Sequence, residues 1–165
     1  MKFLSILNAR KEITVPKIVA KIIITVGLPG SGKSTYLARL GVNAISSDEI
    51  RRLIADDPRD QSMNARIFAT IRYLVRQRIA AGRPETYVDA THITRWERRP
   101  YIGLAQRHGC KLEALFFDVP VEVCIQRNQS RDRVVPKEAI VLLAGLLQPP
   151  TEAEGFSRVQ SVNAD

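Results

Sequence analysis

The 165-residue chain carries 25 Lys and Arg against 17 Asp and Glu, a formal net charge of +8, and is 45% hydrophobic. These values fit one globular domain with a single core and favour an anionic partner. Apolar runs too short for a bilayer and the polar break after Leu7 lead to the expectation of a cytoplasmic protein with no membrane partner, while isolated Cys110 and Cys124 argue against a zinc centre or a disulfide framework.

Taken in order, residues 1–20 carry no recognisable chemistry and read as an N-terminal extension to a domain spanning 21–165. Within it, Met1–Lys11 fits a strand, a helix or an arm ordered on contact, and Thr14-Val15-Pro16 reads as extended. Lys21–Val26 is a β-branched apolar run expected to form a buried strand. It runs into Gly27-Leu28-Pro29-Gly30-Ser31-Gly32-Lys33-Ser34-Thr35, which fits G-x-x-x-x-G-K-[ST] between a strand and a helix start. The chemistry asks for these residue types. Glycines let the backbone close around phosphate oxygens, and the first N–H groups of the helix lack intrahelical partners and favour an anion. Lys33 is expected to bridge β- and γ-phosphates, and the Ser34 hydroxyl to ligate Mg²⁺, so ATP or another nucleoside triphosphate is the implied cofactor.

Asn43–Ser46 reads as a second strand, followed by a helix opening Ser47-Asp48-Glu49-Ile50-Arg51, with Ser47 as its cap. Asp48 and Arg51 are three apart and share one face of the first turn. A polar turn at 56–60 precedes a long helix over about Ser62–Ala81, with Ile67, Ile71, Leu74, Val75 and Ile79 as its buried stripe. Arg66, Arg72, Arg76 and Arg78 lie mostly off that stripe and read as a solvated face, with contact to a polyanion as the alternative. Thr86–Asp89 is a third strand with an acid at its tip, a candidate Mg²⁺-holding group. Thr94-x-x-Glu97 is a capping box for a helix that contains Pro100 near its first turn and ends at Gly109. The lone Trp96 is expected to pack rather than to bind a base, and no row of exposed aromatics for base stacking is legible. Leu112–Val119 is a fourth strand. Pro120 opens a mostly apolar helix, and Arg127 to Arg133 places three arginines where a lid would lie. A last helix from Pro136 to about Leu147 and a weaker fifth strand over Phe156–Val162 complete the chain. Strands alternating with helices predict a parallel sheet covered on both faces.

The loop alone does not separate kinases, switches and motors. Phosphoryl transfer to an alcohol needs an acceptor for the hydroxyl proton and a cation for the substrate, and Asp48 with Arg51 would supply both. The loop, Ser47-Asp48-Glu49-Ile50-Arg51, Val88-Asp89-Ala90-Thr91, and Phe117-Asp118-Val119-Pro120 with Arg127-Asn128 and Arg131 together resemble the kinase domain of phage-type polynucleotide 5′-hydroxyl kinases, within the zeta-toxin-like group of small P-loop ATPases. The resemblance spans about Lys21 to Leu147. It implies an α/β P-loop kinase fold with a five-stranded parallel sheet and an arginine-bearing lid. It also implies that Lys33 and Ser34 hold ATP phosphates and Mg²⁺, and that Asp48 is the general base on a 5′-hydroxyl nucleic-acid end. In the same scheme Arg51 grips the adjacent phosphate, Asp89 orients the acceptor, and Arg131 reaches the phosphates with Arg127 behind it. A phosphatase motif of the D-x-D-x-T kind does not occur, so no 3′-phosphatase activity is expected. A small-molecule hydroxyl acceptor and a nucleotide-dependent binding or switch ATPase remain open alternatives.

Overall fold

The computed structural model describes residues 19–163 apart from Pro58 and Asp132. The readings for Met1–Lys11 and Thr14–Pro16 lie outside the described residues. Five strands form one all-parallel sheet: β1 (Lys21–Val26), β2 (Ala44–Ser46), β3 (Glu85–Asp89), β4 (Lys111–Phe116) and β5 (Arg158–Ser161), in the order β2-β3-β1-β4-β5. Between them lie α1 (Lys33–Arg39), α2 (Ser47–Ala55), α3 (Asn64–Ala80), α4 (Arg95–His108), α5 (Val121–Asn128) and α6 (Lys137–Leu146), and a short 3-10 turn, Glu152–Glu154, precedes β5. Among the described residues no helix is long and apolar enough to cross a membrane.

The sheet is buried on both faces, which is why Ile22, Ile23 and Ile24 of β1 are continuously apolar rather than alternating. Ile22, Ile24 and Val26 face α3 and α4, packing with Ile67, Ile71, Val75, Tyr101 and Leu104. Ile23 faces the other way, into a cluster with Leu37 of α1, Leu115 and Phe117. Ile67, Ile71 and Val75 are fully buried, so truncating Ile71 to Ala would cost about 2–5 kcal/mol. A third cluster, Leu28, Ile93, Cys124 and Ile140, packs the loop after β1 against α5 and α6.

Several boundaries differ from expectation, each for a local reason. The cap of α2 is Ser46 rather than Ser47, its hydroxyl accepting from the Glu49 N–H at 3.4 Å. The α3 helix starts two residues late, after Asp57 and Asp60 side chains have taken the Arg59 and Ser62 N–H groups into turns. Strand pairing of β4 ends at Phe116, since Phe117 is held by one bond to the Val26 carbonyl at 2.8 Å and then Pro120 opens α5. Pro100 sits inside α4 beyond its first turn, and the helix continues through it. The Thr94–Glu97 capping box and the left-handed Gly109 stop are as expected. Trp96 is not packed. It is 76% exposed, because the buried face of α4 is formed by Arg98, Tyr101, Leu104 and Ala105, and Trp96 lies off it.

Candidate functional site

The tips of β1, β2 and β3 converge at one edge of the sheet. Ser46 of β2 is in register with Asp89 of β3, so the chain enters α2 beside the carboxylate that ends β3. Directly across, the loop after β1 closes onto α1. Its N–H groups and carbonyls are fixed by neighbours: Gly27 N–H donates to the Thr91 carbonyl at 3.0 Å, and Ser31 N–H to the Leu28 carbonyl at 3.1 Å. Two glycines are required sterically. A Cβ on Gly27 would stand 2.9 Å from the Phe117 Cβ, and one on Gly30 (φ +84°) would stand 2.2 Å from the Cys124 carbonyl oxygen.

Lys33, 8% exposed, folds back over the loop and donates to the Gly27 carbonyl at 3.0 Å and the Leu28 carbonyl at 2.7 Å. Burial lowers its pKa to about 8, against the opposing attraction of Asp89, and the nearby Arg131 charge lowers it further. The Ser34 hydroxyl donates to Asp89 Oδ2 at 2.6 Å. Two hard oxygen donors therefore sit side by side, one from α1 and one from β3. This is the donor chemistry that suits Mg²⁺, which takes one or two protein oxygens with phosphates and water.

Arg51 is 4% exposed, and α2 aims it back into the cleft. It donates to Asp48 Oδ1 at 3.2 Å and to Asn64 Oδ1 at 2.7 Å, and Asn64 in turn donates to Gln61 at 3.0 Å. Its Nε is buried with no partner among the described residues. Asp48 is also paired with Arg133, from the segment joining α5 to α6. Two guanidinium groups thus bracket one carboxylate, one from its own helix and one from the far side of the cleft.

One cleft of about 1380 Å³ contains Pro29, Gly30, Gly32, Lys33, Ser34, Thr35, Asp48, Arg51, Asp89, Arg127 and Arg131 among its walls. Of the residues expected from sequence, Gly27, Leu28 and Ser31 lie beneath this surface, buried in the turn itself. The volume exceeds that of an ordinary single-ligand pocket, about 300–1,000 Å³, and suits a donor and an acceptor together.

A family profile described as an AAA domain matches residues 22–150. The chain belongs to that family. Solved structures share its fold at low identity. A gluconokinase from Sinorhizobium meliloti 1021 aligns at 20% identity and a TM-score of 0.59, covering 88% of this chain and 83% of that one. The APS kinase CysC of Mycobacterium tuberculosis, solved with AMPPNP and APS, aligns at 20% identity and a TM-score of 0.57, covering 89% and 91%. A chain of the Pnkp1/Rnl/Hen1 complex aligns at 24% identity and a TM-score of 0.57, covering 72% of this chain but 40% of that one. The five-stranded parallel P-loop fold is therefore shared with proteins named as kinases.

Sequence reading missed two members of this site and one residue that supports it from behind. Arg133 was visible only as one of three equivalent arginines, and its selection over its neighbours is a matter of loop path. Asn64 carried no signal, since its role depends on α2 and α3 meeting side by side. Arg98, fully buried behind the site, donates to the His92 and Ile93 carbonyls at 3.0 and 3.2 Å. A charged residue in a helix gives no hint of such burial.

Proposed function

We propose that the chain is an ATP-dependent kinase that transfers the γ-phosphate of ATP to a 5′-hydroxyl end of DNA or RNA. The observation that carries this reading is the Asp48–Arg51–Asn64 constellation, set across one cleft from the Lys33 loop. A triphosphate lying on the loop would draw the Lys33 ammonium from the Gly27 and Leu28 carbonyls to its β- and γ-oxygens. Ser34 and Asp89 would hold Mg²⁺, which when bound neutralises charge on those oxygens. Asp48 accepts the proton of the acceptor hydroxyl as its oxygen bonds to the γ-phosphorus, and the bond from that phosphorus to the β–γ bridging oxygen breaks to release ADP. Arg51, with its unpartnered Nε, grips the acceptor's adjacent phosphate, while Arg131 and Arg127 bear on the transferring group. Arg133 leaves Asp48 as the acceptor enters, so the carboxylate changes partners rather than losing one. The basic balance of the chain supports a polynucleotide acceptor.

A second reading keeps the chemistry and changes the acceptor to a small-molecule hydroxyl, and is favoured by the gluconokinase and APS kinase likenesses. Transfer of labelled γ-phosphate to a 5′-hydroxyl oligonucleotide, set against a panel of sugars, nucleosides and nucleotide sulfates, separates the two. Asp48→Asn is expected to lower transfer by about 10²–10⁴-fold while nucleotide binding persists. Near-normal transfer by that variant would remove Asp48 from the role of base.

A further inference from the structure

A second concavity, of about 590 Å³, lies outside the catalytic cleft between α3 and α4. Its walls are Arg72 and Arg76 from α3 and Trp96, Arg99 and Arg107 from α4, with Gly103 in its floor. No acidic residue lines it, and none of the four arginines forms an ion pair among the described residues. Trp96, the chain's single tryptophan, is 76% exposed there, and Tyr73 beside Arg76 is 52% exposed. The Arg76 guanidinium stands 5.9 Å from the Tyr73 ring centroid. A Cβ on Gly103 would meet nothing within 4 Å, so no crowding demands glycine at this helical position, and its absence of a side chain keeps the floor open.

The groove and the cleft are lined by the same two helices. Phe68 lines the cleft, and Arg72 and Arg76 follow it at four-residue intervals down one stripe of α3, in steps of about 6 Å. On α4, Glu97 lines the cleft while Trp96 beside it lines the groove. Four unpaired cations around a bare indole suit a ligand that is anionic at regular intervals and carries flat aromatic faces between the charges.

We propose that the Trp96 groove between α3 and α4 binds single-stranded nucleic acid, with a base stacked on Trp96 and backbone phosphates against Arg72, Arg76, Arg99 and Arg107. Stacking on an indole tolerates any base, and the arginines contact the backbone, so binding is independent of sequence. That the bound strand is the acceptor rests on the polynucleotide kinase reading; the binding itself does not.

The test uses the full chain and a mixed-sequence, 5′-phosphorylated single-stranded oligonucleotide, which binds without serving as an acceptor. Indole emission arises from Trp96 alone, so stacking is expected to quench it on titration. The logarithm of affinity should fall with that of salt concentration with a slope of about −2.8, four phosphates at about −0.7 each, and Arg72→Ala/Arg76→Ala should halve it. Read by anisotropy of a labelled oligonucleotide, Trp96→Ala should bind about 5- to 150-fold more weakly, while Trp96→Phe retains most of the affinity. Trp96 and Arg76 are exposed and Arg72 is half-buried, and an unchanged melting temperature confirms that each variant is folded. Binding without quenching, or polyphosphate bound as tightly as the oligonucleotide, would reduce the groove to a general anion surface and overturn the proposal. So would sedimentation showing that Trp96→Ala breaks up a dimer, because the occupant would then be a second copy. Phosphorylation of a dinucleotide with no oligonucleotide binding would sink the groove and leave the kinase reading standing. Quenching with no transfer to any 5′-hydroxyl would do the reverse.

Discussion

Arg98→Met tests whether a buried ion pair behind the cleft supports the nucleotide loop. Arg98 is fully buried and makes a two-bond fork to Glu154, at 2.9 and 2.8 Å, besides its bonds to the His92 and Ile93 carbonyls. Removing one partner of a buried pair costs about 3–5 kcal/mol, because the other charge stays buried without its counter-ion. Glu154 has a 7% exposed side chain and keeps two helpers, Arg95 at 3.7 Å and the Thr151 N–H at 3.2 Å. The lower end is therefore expected, about 3 kcal/mol, or about 6–12 °C in melting temperature for a chain of this size. The carbonyls that Arg98 holds follow Thr91, whose own carbonyl takes the Gly27 N–H, so nucleotide affinity should weaken alongside stability. Urea unfolding followed by circular dichroism gives the first quantity, and calorimetric titration with a non-hydrolysable ATP analogue gives the second. Arg98→Met/Glu154→Met should regain at least half of the lost stability, since it removes both charges. A loss under about 1 kcal/mol, or a double variant no more stable than the single, would refute the reasoning.

Three further outcomes are expected. Lys33 titrates near pH 8 in the free protein and should be held protonated by a triphosphate, so binding takes up a proton and affinity falls as pH rises above 8. Calorimetry in buffers of different ionisation enthalpy should find an uptake of about 0.5 proton at pH 8 and almost none at pH 6.5; no uptake up to pH 9 would contradict it. His92 is buried and donates from Nδ1 to the Thr25 carbonyl at 2.7 Å, and desolvation pulls its pKa from 6.5 down to about 4. The unfolded chain then binds the extra proton first, so stability is full above pH 6.5 and about 3 kcal/mol is lost as pH falls to 4, a loss that His92→Gln should reduce in acid-unfolding curves. Gly30→Ala should abolish measurable ATP binding, because the added Cβ meets the Cys124 carbonyl; wild-type affinity in that variant would show that the loop yields cheaply.

The parts of this protein that were legible before folding are those written in adjacent residues. The β-branched run Ile22–Ile24, the glycine-lysine loop and the Thr94–Glu97 box each declare themselves within a few positions, and all five strands overlap the segments that period and turn residues marked, β4 and β5 being shorter than expected. The i,i+3 pairing of Asp48 with Arg51 was legible for the same reason, being a property of one helical turn. What depended on two elements meeting was not. Asn64 under Arg51, Arg133 across to Asp48, and Glu154 under Arg98 are joined over 13, 85 and 56 positions. Trp96 failed differently: a large apolar ring is expected to seek the core, but helical phase put Arg98 and Tyr101 on the inward side instead.

The position of β1 at the middle of the sheet divides the cleft by origin. Everything proposed to meet the acceptor comes from the β3 and β2 side, whereas Arg127, Arg131 and Arg133 come from beyond β4. The acceptor wall could be rebuilt for another alcohol without disturbing the arginines opposite. The Arg133–Asp48 ion pair reaches across the cleft from one wall to the other, so that contact is one place where a change of substrate would have to be reconciled with the opposite side.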